Sequence, residues 1–382
     1  MPIVCRWEDT DSMQETCVQE RRGLWFSYLD WTLLDMENEV RFRASVERVL
    51  NNCRGLGLDT LILHVRPFAD ALYPSVFYPW SHLLTGIQGV DPGFDPLGIF
   101  VEQAHRRKIR IEAWLNPYRI RLNGQLPAGQ LAPEHPAMLH PEWTRKVGDG
   151  LWFDPALPQV RDLITSGVRE LVIRYPVDGI QFDDYFYPTD SRVFDLESYR
   201  EYGAGQDLAV WRRKNVNKLV RQVYQAVKEA RPSVEFGISP QADIRLNLEQ
   251  QYSDVLLWMS HSGYIDYILP QTYWGFGFVH PQEGDRFGFR NMVRQWIDYP
   301  RVRGVSLYFG LGAYHIGEGD GCESSLEEWN CGHALGDMAA YLRNLGIPGW
   351  AAFRYDSLFG RDEYESLRTQ ERETLDRVLR ET

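Results

Sequence analysis

The residues best suited to acid–base chemistry lie in one short run near the middle of the chain, which reads Asp178-Gly-Ile-Gln-Phe-Asp183-Asp184-Tyr185-Phe-Tyr187-Pro188. The run joins two adjacent carboxyl groups to three aromatic rings. Burial among rings raises the pKa of a carboxyl group toward the value that a general acid needs, and repulsion between neighbouring carboxylates raises one of the two further. The run therefore predicts a proton-transfer site. The alternative is that one of the two aspartates only fixes its own loop.

Glycosidases are one class of enzyme built on two carboxyl groups, about 5–5.5 Å apart in retaining enzymes and about 6.5–9.5 Å apart in inverting ones. Adjacent residues of a β-strand point to opposite faces. Asp183 and Asp184 can therefore share one site only if the strand ends between them. Otherwise a second element must supply one of the two acids.

The elements that would position this run alternate between strand and helix along the whole chain. The pattern predicts strands over 24–28, 61–65, 109–115, 177–182, 234–238, 265–269, 305–309 and 350–353, and helices over 44–54, 97–107, 160–175, 208–230, 248–259, 291–297, 335–345 and 363–379. Eight such units are typical of a closed barrel with a parallel sheet. We predict an α/β fold: a single (β/α)8 TIM barrel over 22–382, with long βα loops and an N-terminal extension over 1–21. A doubly wound open sheet is the alternative, but no glycine fingerprint follows the first strand.

Five long loops each follow a predicted strand, over 67–96, 117–158, 185–207, 273–289 and 310–332. In a barrel such loops lie at the C-terminal face, where barrel enzymes carry their chemistry. Polar and apolar residues alternate along the strands, and the last polar residues of the strands lie at the same face. We expect these residues to form one polar mouth: Arg66, Asn116, Asp183, Ser239, Gln271 and Tyr273. The alternative is that these are interior polar residues that satisfy one another.

Five ordered motifs between about residues 22 and 359 carry a resemblance to a known family. They are His64-Val-Arg66-Pro-Phe-Ala-Asp70-Ala-Leu-Tyr73-Pro-Ser75, Ala113-Trp-Leu-Asn116-Pro-Tyr118-Arg119, Asp183-Asp184-Tyr185-Phe-Tyr187-Pro188, Phe236-Gly-Ile-Ser239-Pro240 and Tyr264-Ile-Asp-Tyr-Ile-Leu-Pro270-Gln271-Thr-Tyr273-Trp274. The chain resembles the glycosyl-hydrolase-like family ten, a barrel family of bacterial proteins. The resemblance implies cleavage of glycosidic bonds in a polysaccharide or oligosaccharide, with peptidoglycan strands the best-known type of substrate.

The resemblance and the predicted mouth together suggest roles for individual residues. We expect Asp184 to be the general acid and base, Asp183 its second carboxylate or orienting neighbour, and Asp70 a further candidate nucleophile, base or hydroxyl ligand. The expected substrate-binding residues are Arg66, Asn116, Tyr118, Arg119, Tyr185, Tyr187, Gln271, Tyr273, Trp274 and Arg354. Arg354 either recognises a charged sugar or pairs with Asp356. The alternative function is a carbohydrate-binding barrel without catalysis.

Composition limits the other function classes. The 382 residues hold 41 Lys and Arg against 53 Asp and Glu, a net charge of −12, which argues against binding to nucleic acid or to an anionic membrane surface. No apolar run is long enough for a membrane span, and no signal peptide is visible, which favours the cytoplasm unless an export signal was removed.

Five cysteines without CxxC spacing favour free thiols, with a Cys322–Cys331 bridge as the lesser alternative. His135 and His140 have no acid at ligand spacing, so we expect no metal and no cofactor. The oligomeric state stays open.

Overall fold

The computed structural model describes residues 3–4, 18–124, 127, 129–203 and 205–380. Its main sheet is parallel and confirms the predicted (β/α)8 barrel. The barrel strands, numbered here from first to eighth in chain order, are Arg21–Phe26, Thr60–Arg66, Arg110–Leu115, Gly179–Phe182, Glu235–Ile238, Tyr267–Ile268, a seventh in the two pieces Ser306–Leu307 and Phe309–Leu311, and Gly349–Ala352.

The interrupted seventh strand closes the barrel. Its first piece pairs with the sixth strand and its second piece with the eighth. Tyr308 lies between the two pieces, and its backbone N–H donates to the Ile268 carbonyl at 2.9 Å. The eighth strand pairs in turn with the first, from Gly349 beside Arg21 to Ala352 beside Leu24. Strands from the two ends of the sequence therefore lie side by side.

Helices follow the strands as predicted, with two differences. The helices are Glu39–Gly55, His82–Thr85, Pro96–Arg106, Pro136–Leu139, Pro158–Arg174, Leu196–Tyr202, Leu208–Ala230, Ile244–Glu249, Val255–Ser260, Phe289–Asp298, Leu326–Trp329, Ala334–Asn344, Tyr355–Phe359 and Glu365–Arg380. The first begins five residues early because Asn38 accepts a hydrogen bond from the Arg41 N–H and caps it. The single helix predicted over 248–259 is wrong. It is two short helices, separated around Tyr252, whose φ of 54° no α-helix accommodates.

Large interior side chains fit the barrel because glycines lie opposite them. A Cβ atom on Gly237 would lie 2.0 Å from the Tyr267 ring, and one on Gly179 would lie 2.9 Å from the Glu112 side chain. The freed space lets the Tyr267 hydroxyl donate to Glu112 Oε2 at 2.5 Å. These positions require glycine for close approach.

The N-terminal end of the barrel holds an ion-pair network in which Glu112 is buried and Glu235 and Arg110 are partly exposed. Arg21 Nη1 lies 3.0 Å from Glu112 Oε1, and Arg21 Nη2 lies 2.5 Å from Glu235 Oε2. Arg110 adds a second ion pair to Glu235 at 2.5 Å. The Arg21 guanidinium also lies 4.6 Å from the centre of the Tyr308 ring. One cation thus ties the first, third, fifth and seventh strands together.

The loop after the third strand carries a small antiparallel sheet of Arg119–Arg121, Gly150–Phe153 and Thr144–Val147.

Cys322 and Cys331 are free thiols, so the alternative prediction of a bridge between them is wrong, and Cys53 is free as well. Cys5 and Cys17 lie outside the described residues. Among the described helices, none combines the length and the apolar character that crossing a membrane would require.

Candidate active site

The fourth strand ends at Phe182, and both following aspartates enter one pocket. This cavity of about 360 Å³ opens at the C-terminal face of the barrel. Asp183 and Asp184 are each only 3% exposed. The end of the strand removes the alternation that would have sent the two side chains to opposite faces.

Asp183 accepts hydrogen bonds from neutral donors of the third strand and the residues after it. The Trp114 indole Nε1 donates to its Oδ2 at 3.1 Å, and Asn116 Nδ2 donates to the same oxygen at 3.0 Å. The Tyr185 backbone N–H donates to Oδ1 at 3.4 Å. Burial, followed by repulsion from Asp184, raises the pKa of Asp183 to about 7. The donors and Arg119 oppose this rise without cancelling it.

Asp184 is held by three glutamine amides. Gln241 Nε2 donates to its Oδ2 at 2.5 Å, Gln251 Nε2 to the same oxygen at 3.3 Å, and Gln271 Nε2 to Oδ1 at 3.0 Å. Burial raises the pKa of Asp184, while the amides of Gln271 and Gln241 lower it. The backbone of Gln241 is fixed on both sides, since its N–H donates to Asn247 Oδ1 at 3.1 Å and its carbonyl accepts from Asn247 Nδ2 at 2.7 Å.

Four of the predicted binding residues line the same pocket: Arg119, Tyr185, Gln271 and Tyr273. Asn116 lies behind them, in contact with Asp183. The Arg119 backbone N–H donates to Asn116 Oδ1 at 3.0 Å, so the third strand and the loop after it hold each other in place. The fourth, fifth and sixth strands contribute Asp183, Ser239 and Gln271 to one mouth, as the polar phase predicts.

Arg66 does not reach this mouth, contrary to its predicted place. The pairing of the second and third strands slips by one residue there, with His64 opposite Trp114 but Arg66 opposite Leu115. The extra residue reverses the side-chain phase. Arg66 therefore points outward, where its Nη1 donates to the Tyr78 hydroxyl at 2.9 Å beneath the helix Pro158–Arg174.

Asp70 also lies away from the pocket. Its side chain is fully buried and accepts from Gln88 Nε2 at 3.1 Å, with His82 Nδ1 at 3.5 Å from the same oxygen. Ala69 before it has a φ of 51°, which turns the chain away from the line of the strand. Asp70 is placed to hold the loop after the second strand and not to meet a substrate in this cavity.

The other predicted binding residues pack elsewhere. Tyr118 is fully buried beside Phe186, and Tyr187 covers the Arg212 guanidinium at 5.1 Å. Trp274 packs on Phe278 and Phe287. Arg354 pairs with Asp30 and, at 3.4 Å, with Asp356, so the pairing alternative for Arg354 describes it correctly. Aromatic and charged side chains are common along these loops, and the sequence gives no signal of which of them point into the pocket.

Several pocket residues were not predicted: Trp25, Ser27, Tyr28, Tyr314 and Phe353, with Gln241 and Gln251 as partners of Asp184. The alternation of the first strand could have identified Trp25 and Ser27. Trp25 Nε1 donates to Gln181 Oε1 at 2.7 Å, inside the barrel. Gln251 and Tyr314 come from irregular loops, whose paths no local pattern specifies.

His135 and His140, the histidines considered as metal ligands, lie in structural positions. Within it, no group of three or more His, Cys, Asp or Glu side chains is arranged to hold a metal ion. His135 Nδ1 accepts from the Ala137 N–H and caps a short helix, while His140 stacks on Trp143 at 3.8 Å. Both histidines have structural contacts of their own.

Comparisons with known proteins agree with this arrangement. The sequence matches the family model described as glycosyl hydrolase-like 10 over residues 20–327. Glycosyl hydrolase DigH of Escherichia coli K12 is 36% identical over 380 residues, which cover 89% of this chain and 84% of that protein. Glycosyl hydrolase YngK of Bacillus subtilis is 36% identical over 322 residues, covering 78% of this chain but only 61% of the Bacillus protein.

Solved structures share the fold at low sequence identity. The glycoside hydrolase domain of PgaB (BpsB) from Bordetella bronchiseptica superposes with a TM-score of 0.59 at 15% identity, covering 92% of this chain and 98% of that one. An alpha-amylase from Lactobacillus plantarum gives a TM-score of 0.53 at 12% identity, covering 94% and 79%. At this identity the likeness concerns the barrel alone.

Proposed function

Because the chain belongs to the glycosyl hydrolase-like 10 family, we propose that it hydrolyses glycosidic bonds of a polysaccharide or oligosaccharide by carboxylate acid–base catalysis. The observation that carries the proposal is the pair Asp183 and Asp184, buried side by side in one pocket with aromatic walls. Cleavage of an acetal requires a proton on the departing oxygen. A buried carboxyl group whose pKa lies near neutrality can store that proton and release it in the site.

The hydrogen bonds support different roles for the two acids. Three amide donors stabilise the charged form of Asp184. Asp183 also accepts from N–H donors, but burial and Asp184 still raise its pKa to about 7, and the Trp114 and Asn116 groups that face it are N–H donors that do not take up its proton. The proton is therefore free to meet a glycosidic oxygen. We propose Asp183 as the proton donor and Asp184 as its charged partner, the reverse of the order favoured by sequence alone.

An N-acetylated amino sugar, as in peptidoglycan-type glycans, suits this pocket. Asp183 and Asp184 are the two carboxyl groups among its described lining residues, and they are neighbours in the chain. Some glycosidases that lack a nucleophilic side chain use the acetamido oxygen of the substrate instead. Asp184 would then orient and charge-stabilise that group, with Gln271 and Tyr273 beside it.

A screen of substrates tests the proposal. Reducing-end release is measured on peptidoglycan strands, chitin-type oligomers and plant glycans, with the Asp183→Asn protein as the matched blank. We expect release from N-acetylated glycans and none from the blank. Tight binding to a glycan without release over long incubation would instead favour the non-catalytic barrel.

A further inference from the structure

The imidazole of His64, on the second strand, is buried without a hydrogen bond of its own. The residue is fully buried, and among the described residues neither its Nδ1 nor its Nε2 has a hydrogen-bond partner. Burial, followed by the charges of Arg119 and Arg66, lowers the pKa of His64 well below its ordinary value, so the ring is neutral. Neither hydrogen bonding nor charge therefore accounts for a histidine at this position.

The imidazole instead contacts the face of an indole. His64 lies opposite Trp114 in the pairing of the second and third strands. The two ring centres are 3.7 Å apart and the ring planes differ by only 14°, whereas Phe353 meets the same indole edge-on at 6.5 Å. The angle about the bond to a tryptophan ring has a broad range when nothing restricts it. The parallel contact with His64 restricts the plane of the Trp114 ring.

The plane of this indole matters because its N–H reaches a pocket acid. Trp114 Nε1 donates to Asp183 Oδ2 at 3.1 Å, and this hydrogen bond opposes the rise in the pKa of Asp183. A hydrogen bond weakens steeply as its angle departs from linear. The titratable and charged groups that face Asp183 are Asp184, Arg119, Tyr185 and Tyr273. Because His64 is neutral, a neutral substitute leaves the charges around Asp183 as they are.

A second histidine–tryptophan stack has the same geometry without such a connection. The rings of His140 and Trp143 lie 3.8 Å apart, with planes that differ by 11°. The His140 side chain is exposed, and its Nδ1 lies 3.2 Å from Glu142 Oε1. Trp143 is not among the donors to either pocket acid. Comparing the two stacks separates the ring contact from the hydrogen bond that only the first one supports.

Resting on the proposed role of Asp183 as proton donor, we propose that His64 is a positioning residue: its imidazole holds the plane of the Trp114 indole, so that the indole N–H points at Asp183. His64 is not among the described residues that line the pocket, so it acts through Trp114 and not on the substrate. A flat, neutral ring is what this role requires, and the unpartnered ring nitrogens take no part in it.

The pH dependence of activity tests the proposal. The proteins compared are the wild type, His64→Leu, His64→Val, Trp114→Phe, the double variant His64→Leu with Trp114→Phe and, as a matched control, His140→Leu. Neither leucine nor valine offers a flat face, and the smaller valine fits the site if leucine does not. Melting curves on the same samples identify the variants that fold. The measured quantity is the pH at which activity has fallen to half on the high-pH side.

We expect each folded His64 variant to move this pH upward by about one unit, because the charged form of Asp183 loses a donor. Trp114→Phe removes the N–H and should move it at least as far, whereas His140→Leu should leave it unchanged. The double variant should show no further shift beyond Trp114→Phe, since both changes act on one hydrogen bond. Lower activity at an unmoved pH, or a shift in the double variant that equals the sum of the two, would overturn the proposal while leaving hydrolysis intact.

A measurement without substrate separates this proposal from the proposed function. The pKa of Asp183 is followed by carbon-13 NMR of protein labelled at the aspartate carboxyl carbons, and its resonance is the one that Asp183→Asn lacks. A higher pKa in a His64 variant than in the wild type supports the positioning role even if no glycan is cleaved. Equal values in the two proteins contradict it, whatever the turnover.

Discussion

The two ends of the barrel treat buried acids in opposite ways. At the N-terminal end, Glu112 lies against Arg21, and Glu235 lies against both Arg21 and Arg110. At the C-terminal end, Asp183 and Asp184 accept only from indole, amide and backbone N–H groups, with no ion pair to any described residue. Arg21 opposes the rise that burial causes in the pKa of Glu112, whereas Asp183 is raised further by Asp184 and has only neutral hydrogen-bond donors. Among the described residues, the inner surface thus pairs its acids with cations at one end and leaves them without an ion pair at the other.

The largest loss of activity should follow from removing either acid at the C-terminal end of the barrel. Asp183→Asn and Asp184→Asn should each lower turnover by about 10³-fold, because the first removes the proposed proton donor and the second removes its charged partner. Thermal unfolding should show no loss of stability, since a buried charge is replaced by an amide of the same size. Reducing-end release and a melting curve on the same samples check both points. Wild-type turnover in both variants would remove the pair from the mechanism.

The ion-pair network at the N-terminal end of the barrel should show the opposite pattern, with a large loss of stability and little loss of activity. Arg21→Met leaves the buried Glu112 with only the more distant Arg110, at 3.9 Å, so we expect a loss of about 3 kcal/mol in the free energy of unfolding. The kcat of the folded fraction should stay within a few-fold. Urea unfolding gives the stability. Arg43→Met is the matched control: its ion pairs to Glu39 and Glu102 are solvent-exposed, so the loss of stability should be much smaller. Equal losses in the two variants would contradict the contrast.

The pH dependence of activity and stability should further distinguish the acids at the C-terminal end from the ion pairs at the N-terminal end. Activity should fall as pH rises through about 7, where Asp183 loses its proton. Stability has the same sign: the pKa of Asp183 is higher in the folded protein than its usual value near 4, so wild-type stability should decrease between about pH 4 and 7. Asp183→Asn should therefore gain stability over the wild type at pH 8 and little at pH 4. Melting temperatures at the two pH values measure this, and an equal shift at both would be inconsistent with a buried titrating acid.

The smallest effect concerns the amides around Asp184. Gln241→Leu removes the donor at 2.5 Å, which should raise the pKa of Asp184 and move the low-pH limb of the activity profile upward. We expect about a tenfold loss at the optimum. Gln241→Glu tests the charge, because a second carboxylate there should shift the limb further. A pH–rate profile that is unchanged in both variants would leave Gln241 without a positioning role.

The sequence predicted the barrel and its central acids because both depend on local pattern. Alternation between strand and helix is repeated eight times, and the run around Asp183 sits at a strand end. Arg66 was misplaced because one inserted residue in the second strand reverses every later side chain. The glutamines on Asp184 were mostly missed for another reason. Gln241 and Gln251 approach it from loops after the fifth strand, and such contacts depend on tertiary packing that no spacing rule encodes.

The pairing of the first strand with the eighth has a consequence for biosynthesis. Arg21–Phe26 leaves the ribosome more than 300 residues before its partner Gly349–Ala352. Until then one sheet edge with Leu24 and Trp25 is uncovered, which is the kind of surface that promotes association between nascent chains. Ring closure therefore has to wait until the eighth strand has been translated, and a premature stop before Gly349 should yield an insoluble product in place of a shortened enzyme.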